Sequence, residues 1–159
     1  ILAAVPSNLK NDRELVMAAV DCHSRFALEF AAPELRADRD FVLRVVRKDG
    51  GALGSIPEHR YDREVVNAAV QNDKDRGLTL SYASPELQAD KEIVLAAVQQ
   101  SGMALDFASE TLQDDRDVVL AAVGQDGKAL RYASERLQQS REVVITAVAQ
   151  NGLVLRIVD

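Results

Sequence analysis

Apolar and polar positions along this chain fall into a pattern that returns about every 25 residues. Each copy begins with a polar triplet and runs into an apolar stretch, as in Asp115-Arg116-Asp117 followed by Val118-Val119-Leu120-Ala121-Ala122-Val123. Val stands four places after the first triplet residue in every copy: Val16, Val42, Val66, Val94, Val119 and Val144. It stands again eight places after, at Val20, Val46, Val70, Val98, Val123 and Val148. A spacing of four puts both on one face of an α-helix. Ala fills half of the positions between them, so neighbouring helices can approach closely. Six successive apolar residues wrap most of a helix circumference. The pattern therefore predicts a helix covered on several sides, as in the interior of a stack.

The first triplet residue is Asp12, Asp38, Asp62, Asp90, Asp115 or Ser140. Asp and Ser share the ability to accept hydrogen bonds from free amides at a helix start, so all six are predicted N-caps. The second is always basic (Arg13, Arg39, Arg63, Lys91, Arg116, Arg141) and is expected to pair with an acid in a neighbouring unit. The third is always acidic, which suits the positive end of the helix dipole. Gly50, Gly102, Gly127 and Gly152 lie twelve residues after their caps. That placement predicts a helix of about 11 residues ended by Gly in the left-handed conformation. A helix so short does not persist alone in water, so its neighbours must hold it.

A second, shorter helix is predicted after each Gly, at 103–109 and 128–134, with Leu105 and Ala108, or Leu130 and Ala133, on one face. Phe30, Tyr82, Phe107 and Tyr132 recur at matching places. Their phase beside Leu80, Leu105 and Leu130 favours packing between units over a base-stacking platform. Ser84-Pro85-Glu86-Leu87 predicts a further turn with Ser as cap and Pro at the first helical position. Leu9, Leu35, Leu87, Leu112 and Leu137 are placed to close each unit. The expected fold is all-α: an α-solenoid of about six tandem two-helix repeats, each about 25 residues long, with no sheet. The units run approximately 1–24, 25–50, 51–76, 77–102, 103–127 and 128–152, with a partial unit at 153–159. Both ends cut through a unit, so the chain reads as a segment of a longer protein whose array ends offer contacts.

Apolar residues make up 47% and aromatics 4%, so the core is built from Ala, Val and Leu. The net charge of −6 has both signs mixed in every copy, which points neither to nucleic acid nor to a polybasic membrane segment. No apolar run approaches the length needed to span a membrane. Cys22 is the sole cysteine, so no internal disulfide can form. The compartment stays open between cytoplasm and an organelle interior.

Little in the chain points to chemistry. His23 and His59 sit in different units, and adjacent Cys22 and His23 would point about 100° apart on a helix. Neither a GxGxxG nor a Walker-type motif occurs. The acids recur in every unit with capping or dipole roles, and active sites rarely repeat at each turn of a stack. The expectation is therefore no catalysis, no metal and no cofactor.

One unit departs from the pattern. Between 51 and 77, no Leu matches Leu112 or Leu137 near His59-Arg60-Tyr61, and one residue is missing there. Asn67 replaces an apolar residue, and the helix runs into Gln71-Asn72-Asp73-Lys74-Asp75-Arg76, three residues longer than the pattern before Gly77. Either this is drift with a solvated loop, or it is a partner-specific feature, since insertions in repeat arrays often lie on a binding face. His59, Arg60, Tyr61, Asp73, Lys74, Asp75 and Arg76 are the candidate contact residues. A second departure is the basic set Arg39, Arg44, Arg47 and Lys48 on one helix, either solvated or ion-paired, or facing an acidic partner or a phosphate.

The phrase LxYASxxLQxDxxVVLAAVxxxG recurs at 80–102, 105–127 and 130–152, with Ile93 in the first copy, Phe107 in the second, and Ser140, Ile145 and Thr146 in the third. It resembles the repeat family known as domain of unknown function 4116. The resemblance covers essentially the whole chain and implies a helical array, often set inside larger proteins, with no assigned activity and no catalytic residues to transfer. The expected function is a non-catalytic protein–protein interaction or scaffold module, a peripheral part of a larger assembly. The alternative is a module that selects substrates or partners for an enzymatic domain elsewhere in the full-length chain. The expected partner is another protein, with no nucleic acid and no membrane insertion.

Overall fold

The computed structural model describes residues 11–152, without the side chains of 22–27 and 30. Leu9, the partial unit 153–159 and the side chains of Cys22, His23 and Phe30 therefore lie outside the described residues. Among those described, every regular element is helical and no strand occurs. The long helices are α1 (Arg13–Ala27), α3 (Arg39–Val46), α4 (Arg63–Gln71), α6 (Lys91–Gln100), α8 (Arg116–Gln125) and α10 (Arg141–Gln150). Between them come short helices α2 (Pro33–Ala37), α5 (Pro85–Gln88), α7 (Glu110–Gln113) and α9 (Glu135–Gln138).

Each unit has three pieces where two were expected. After the long helix comes a tight 3-10 helix, such as Gly102–Phe107 or Gly127–Tyr132, and then a short α-helix, replaced before α4 by a second 3-10 turn at Pro57–His59. The turn anticipated at Ser84–Leu87 is that third piece, with Pro85 at its first position. The long helices also vary more than their caps suggest. Three have 10 residues, α4 has 9, α3 has 8 and α1 has 15.

The long helices form one layer, in which α4 packs between α3 and α6, α6 between α4 and α8, and α8 between α6 and α10. The 3-10 helices follow one another in a second layer, from Gly50–Ser55 through Leu78–Tyr82 and Gly102–Phe107 to Gly127–Tyr132. The Ala, Val and Leu core lies between the layers, with Val98, Val123, Leu105 and Leu130 all buried as expected. Val148 was expected to be buried and is only half-buried. It belongs to α10, beyond which no described helix stacks. The two end helices show which face looks which way. In α10, Val143 and Ala147 are buried while Val144 and Val148 are partly open; in α1, Val16 and Val20 are buried while Leu15 and Ala19 are partly open. Positions three and seven after the cap thus face the preceding unit, and positions four and eight face the next.

Gly does not end these helices in the left-handed conformation. Among the described residues Gly77 is the one glycine with positive φ, at 94°. Gly is required by contact with the next unit instead. A Cβ on Gly102 would lie 2.3 Å from the carbonyl oxygen of Ala122, and one on Gly50 would lie 1.9 Å from that of Ala69. Both distances are far inside van der Waals contact.

The caps behave as predicted at five of six positions. Asp12, Asp62, Asp90 and Asp115 each accept from the amides two and three residues on, and Asp38 accepts from that of Phe41. Ser140 occupies the same backbone position but makes no side-chain cap bond, nor does Ser84 before α5. Ser140 also lacks the carboxylate that in other units receives a cation. We expect Asp115→Ala to lower stability by about 1 kcal/mol in urea denaturation, the usual cost of a lost cap.

The basic residues pair across units as expected. Arg39 donates to Asp62 at 2.6 Å and to Glu64 at 2.7 Å. Arg13 pairs with Asp38, Arg63 with Asp90 and Glu92, and Lys91 with Asp115 and Asp117. At the last junction Ser140 offers no carboxylate, and Arg116 turns to Glu142 at 2.6 Å. The neighbouring cation and the cap amides hold Asp62 and Asp115 below the usual carboxylate range. For Asp90 burial works the other way, but Arg63 and the Ile93 and Glu92 amides outweigh it. A lowered folded-state pKa means stability that is full above the ordinary carboxylate range, near pH 4, and is lost as pH falls through the lowered values. We therefore expect the urea midpoint to hold from pH 7 to pH 5 and to drop on acidification below about pH 4. These pairs are exposed, so 1 M salt should shift the midpoint only slightly.

Candidate functional site

Glutamine amides complete the joint between units. Gln125, the last residue of α8, reaches back to the preceding unit. Its Oε1 accepts the Gly102 N–H at 2.6 Å, and its Nε2 donates to the Gln100 carbonyl at 3.3 Å. Gln150 does the same to Gly127 at 2.7 Å and to the Gln125 carbonyl at 3.1 Å. A second set closes the ends of the 3-10 helices: Gln113 Nε2 donates to the Leu105 and Asp106 carbonyls, and Gln138 Nε2 to those of Arg131 and Ala133. The carbonyls of Arg60, Gln88 and Gln113 each accept the N–H of Ser84, Ser109 or Ser134 in the following unit, at 2.9–3.0 Å. Both glutamine sets recur in the sequence at fixed distance from the cap, which is the signal that could have found them.

Against this regular joint, the departure at 51–77 becomes specific. His59 occupies the Leu112 place, Arg60 the Gln113 place and Tyr61 the place before the cap. The missing residue lies further back. Two residues, Ala108 and Ser109, separate the 3-10 helix from the short helix in a regular unit, whereas Ile56 alone does so here. Ile56 donates to Leu53, as Ala108 does to Leu105, so the serine equivalent is the one lost. Its bond to the preceding unit would fall on the Arg36 carbonyl. His59 Nε2 supplies that bond at 2.7 Å. A carbonyl only accepts, so Nε2 carries the proton. His59→Leu should restore an apolar plug yet leave that carbonyl without its donor, lowering stability by about 1 kcal/mol, while His59→Gln keeps most of it. Urea midpoints of the two variants check this.

The insertion is ordered as well. The Asp73 carboxylate accepts from the Asp75 amide at 3.2 Å, from the Gly77 amide and from the Thr79 hydroxyl. Thr79 is fully buried, at the place that Ala104 and Ala129 hold in other units. Lys74 Nζ donates to the Lys48 carbonyl of the preceding unit at 2.7 Å. Arg76 and Gly77 take successive positive φ values of 59° and 94° to turn the chain. A Cβ on Gly77 would also lie 2.5 Å from the Ala104 amide.

The candidate contact residues thus separate into two groups at opposite ends of α4, a helix about 13 Å long. At its start, His59 and Arg60 are half-buried, and Tyr61 stands out at 66% exposure with the Arg60 guanidinium 5.4 Å from its ring centre. At its end, Lys74 and Arg76 are exposed while Asp73 and Asp75 are half-buried. Arg36 and Arg60 replace the capping glutamines, and the buried Nε of each has no hydrogen-bond partner among the described residues. Of the basic set, which runs from α3 into the turn after it, Arg39 pairs with Asp62 and Glu64, Arg47 with Glu64, and Lys48 with Asp21, leaving Arg44 exposed. Tyr82, Phe107 and Tyr132 pack against the core. Among the described residues, no three His, Cys, Asp or Glu side chains gather where they could hold a metal ion. No described helix is long and apolar enough to cross a membrane.

Stacked, mutually capped units of this kind define an all-α tandem helical-repeat array. The chain belongs to the family described as Domain of unknown function (DUF4116), whose model matches residues 38–75, 62–113 and 115–159. No curated protein matches the chain, and no solved structure does.

Proposed function

We propose that this array is a non-catalytic module that docks onto another protein, with Tyr61 as the anchor of the contact. The observation that carries the proposal is the 66% exposure of this aromatic ring at a place where other units have Ala37, Ala89, Asp114 or Gln139. Tyr is among the residues that dominate interface energies, because it adds large area with few rotamers to freeze. The recurring places of the regular units support the same view, since the basic residue and the acids that begin each long helix are engaged in joints between units.

The test is quantitative co-purification of the full chain with proteins of its source cell, followed by affinity measurement on the recovered partner. Tyr61→Ala should keep the helical circular dichroism and the melting temperature while weakening the complex tenfold or more, as loss of a hot spot does. A paired Lys74→Glu, Arg76→Glu variant should bind normally. Undiminished binding by Tyr61→Ala would remove Tyr61 from the contact. Turnover of a substrate by the purified array would contradict the non-catalytic assignment.

A further inference from the structure

We infer that the exposed cations at the ends of α3 and α4 form a docking site for an acidic segment of another protein. The long helices α4, α6, α8 and α10 carry no basic residue in their last turn, whereas α3 carries Arg44 there and Arg47 at its C-cap. Other units hold Ala or Thr at the Arg44 place. Arg44 is exposed and makes no ion pair among the described residues, although Asp40 stands one turn back. Arg47 lies 3.8 Å from Glu64, which Arg39 already holds at 2.7 Å. Lys74 and Arg76 join this set from the insertion. Lys74 bridges two units by donating to the Lys48 carbonyl, a neutral group, so its charge is not offset there. The Asp73 carboxylate beside it is engaged by two amides and a hydroxyl.

Arg76 carries the clearest sign of a role outside the fold. Its backbone sits in the left-handed region, at φ 59°, where a side chain costs energy that Gly avoids. Its own side chain is exposed and makes no hydrogen bond or ion pair among the described residues. Nothing in the described array offsets that strain, and a backbone outlier of this kind points to function. The cations are spread over two units rather than aimed at one point. That arrangement suits carboxylates spaced along a chain better than a single phosphate group. The net charge of −6 works against a nucleic acid. Attraction between opposite charges speeds encounter and sets orientation, and it weakens as salt rises. The site lies at the opposite end of α4 from Tyr61, so the two contacts are independent.

The test titrates the full chain into a fluorescein-labelled polyglutamate peptide and follows anisotropy. The peptide should bind at low salt and be released as salt rises. Arg44→Glu should weaken binding several-fold. Arg76→Gly should do the same while leaving the urea midpoint unchanged or higher, because Gly suits the left-handed backbone. A paired Lys128→Glu, Arg131→Glu variant alters two exposed cations elsewhere and should bind like the unaltered chain. Tyr61→Ala should also bind normally. Circular dichroism confirms that each variant is folded. Absence of binding at low salt overturns the inference. So does binding that Arg76→Gly leaves intact, or equal weakening by the Lys128→Glu, Arg131→Glu pair, which would report overall charge alone. Displacement of the peptide by an equal concentration of inorganic phosphate or of a single-stranded DNA oligonucleotide would overturn it too, by assigning the site to phosphate groups.

Discussion

Leu130→Ala is expected to destabilise the array by roughly 2–5 kcal/mol, the range for removing a buried Leu without collapse of the space it leaves. Leu130 is 1% exposed, in the 3-10 helix Gly127–Tyr132 that packs against both α8 and α10. The site cannot collapse easily, because the walls on both sides are short helices pinned by Gln125, Gln150 and the cap ladder. The loss should be local. In a linear stack each unit touches only its neighbours, so a weakened unit opens with those beside it while distant units hold. Urea denaturation measures the total. Hydrogen exchange should show α8 and α10 losing protection before α4. Uniform loss along the chain would mean one cooperative core.

Gly102→Ala comes second, with an expected cost of about 3 kcal/mol, the upper end for overpacking. The added Cβ would sit 2.3 Å from the Ala122 carbonyl oxygen and 3.0 Å from the Asp126 amide. Both belong to backbone, so relief requires α8 to move away from α6, breaking the Gln125 bonds that join them. Gly124→Ala is the control. Its Cβ would meet nothing within 4 Å, and it lies inside helix α8. There Ala should stabilise by about 0.5–1 kcal/mol through helix propensity. Opposite signs for two Gly→Ala changes in one unit separate the contact explanation from a general effect of glycine.

The contrast also shows what was legible in the sequence. Val at four and eight places after the cap announced the helix and its buried faces, because a repeated period is a local property. The five Asp caps followed for the same reason, since a carboxylate before an apolar run can bond amides within its own turn. The role of Gly102 was not legible, because a close approach depends on where the next helix lies. A capping Gly and a contact Gly occupy the same place in the text. The glutamines were visible as a recurrence, but an exposed Gln and a stapling Gln look alike until the neighbouring carbonyls are located. His59 read as a departure without a cause. Its cause is a deleted serine amide one unit away from the carbonyl it served, which no local pattern records. Of the seven candidate contact residues, only Tyr61, Lys74 and Arg76 stand open to solvent, and they lie at two ends of α4.

The central claim is that recurring polar joints, not a common interior alone, hold each unit to the next. Amide exchange of Gly102 and Gly127 by NMR tests it directly. Both amides should exchange slowly in the native protein, because the Oε1 atoms of Gln125 and Gln150 in the following units accept from them. Gln125→Leu should accelerate exchange at Gly102 strongly while leaving Gly127 protected. Fast exchange at Gly102 in the unaltered chain, or protection that survives Gln125→Leu, would contradict the joint.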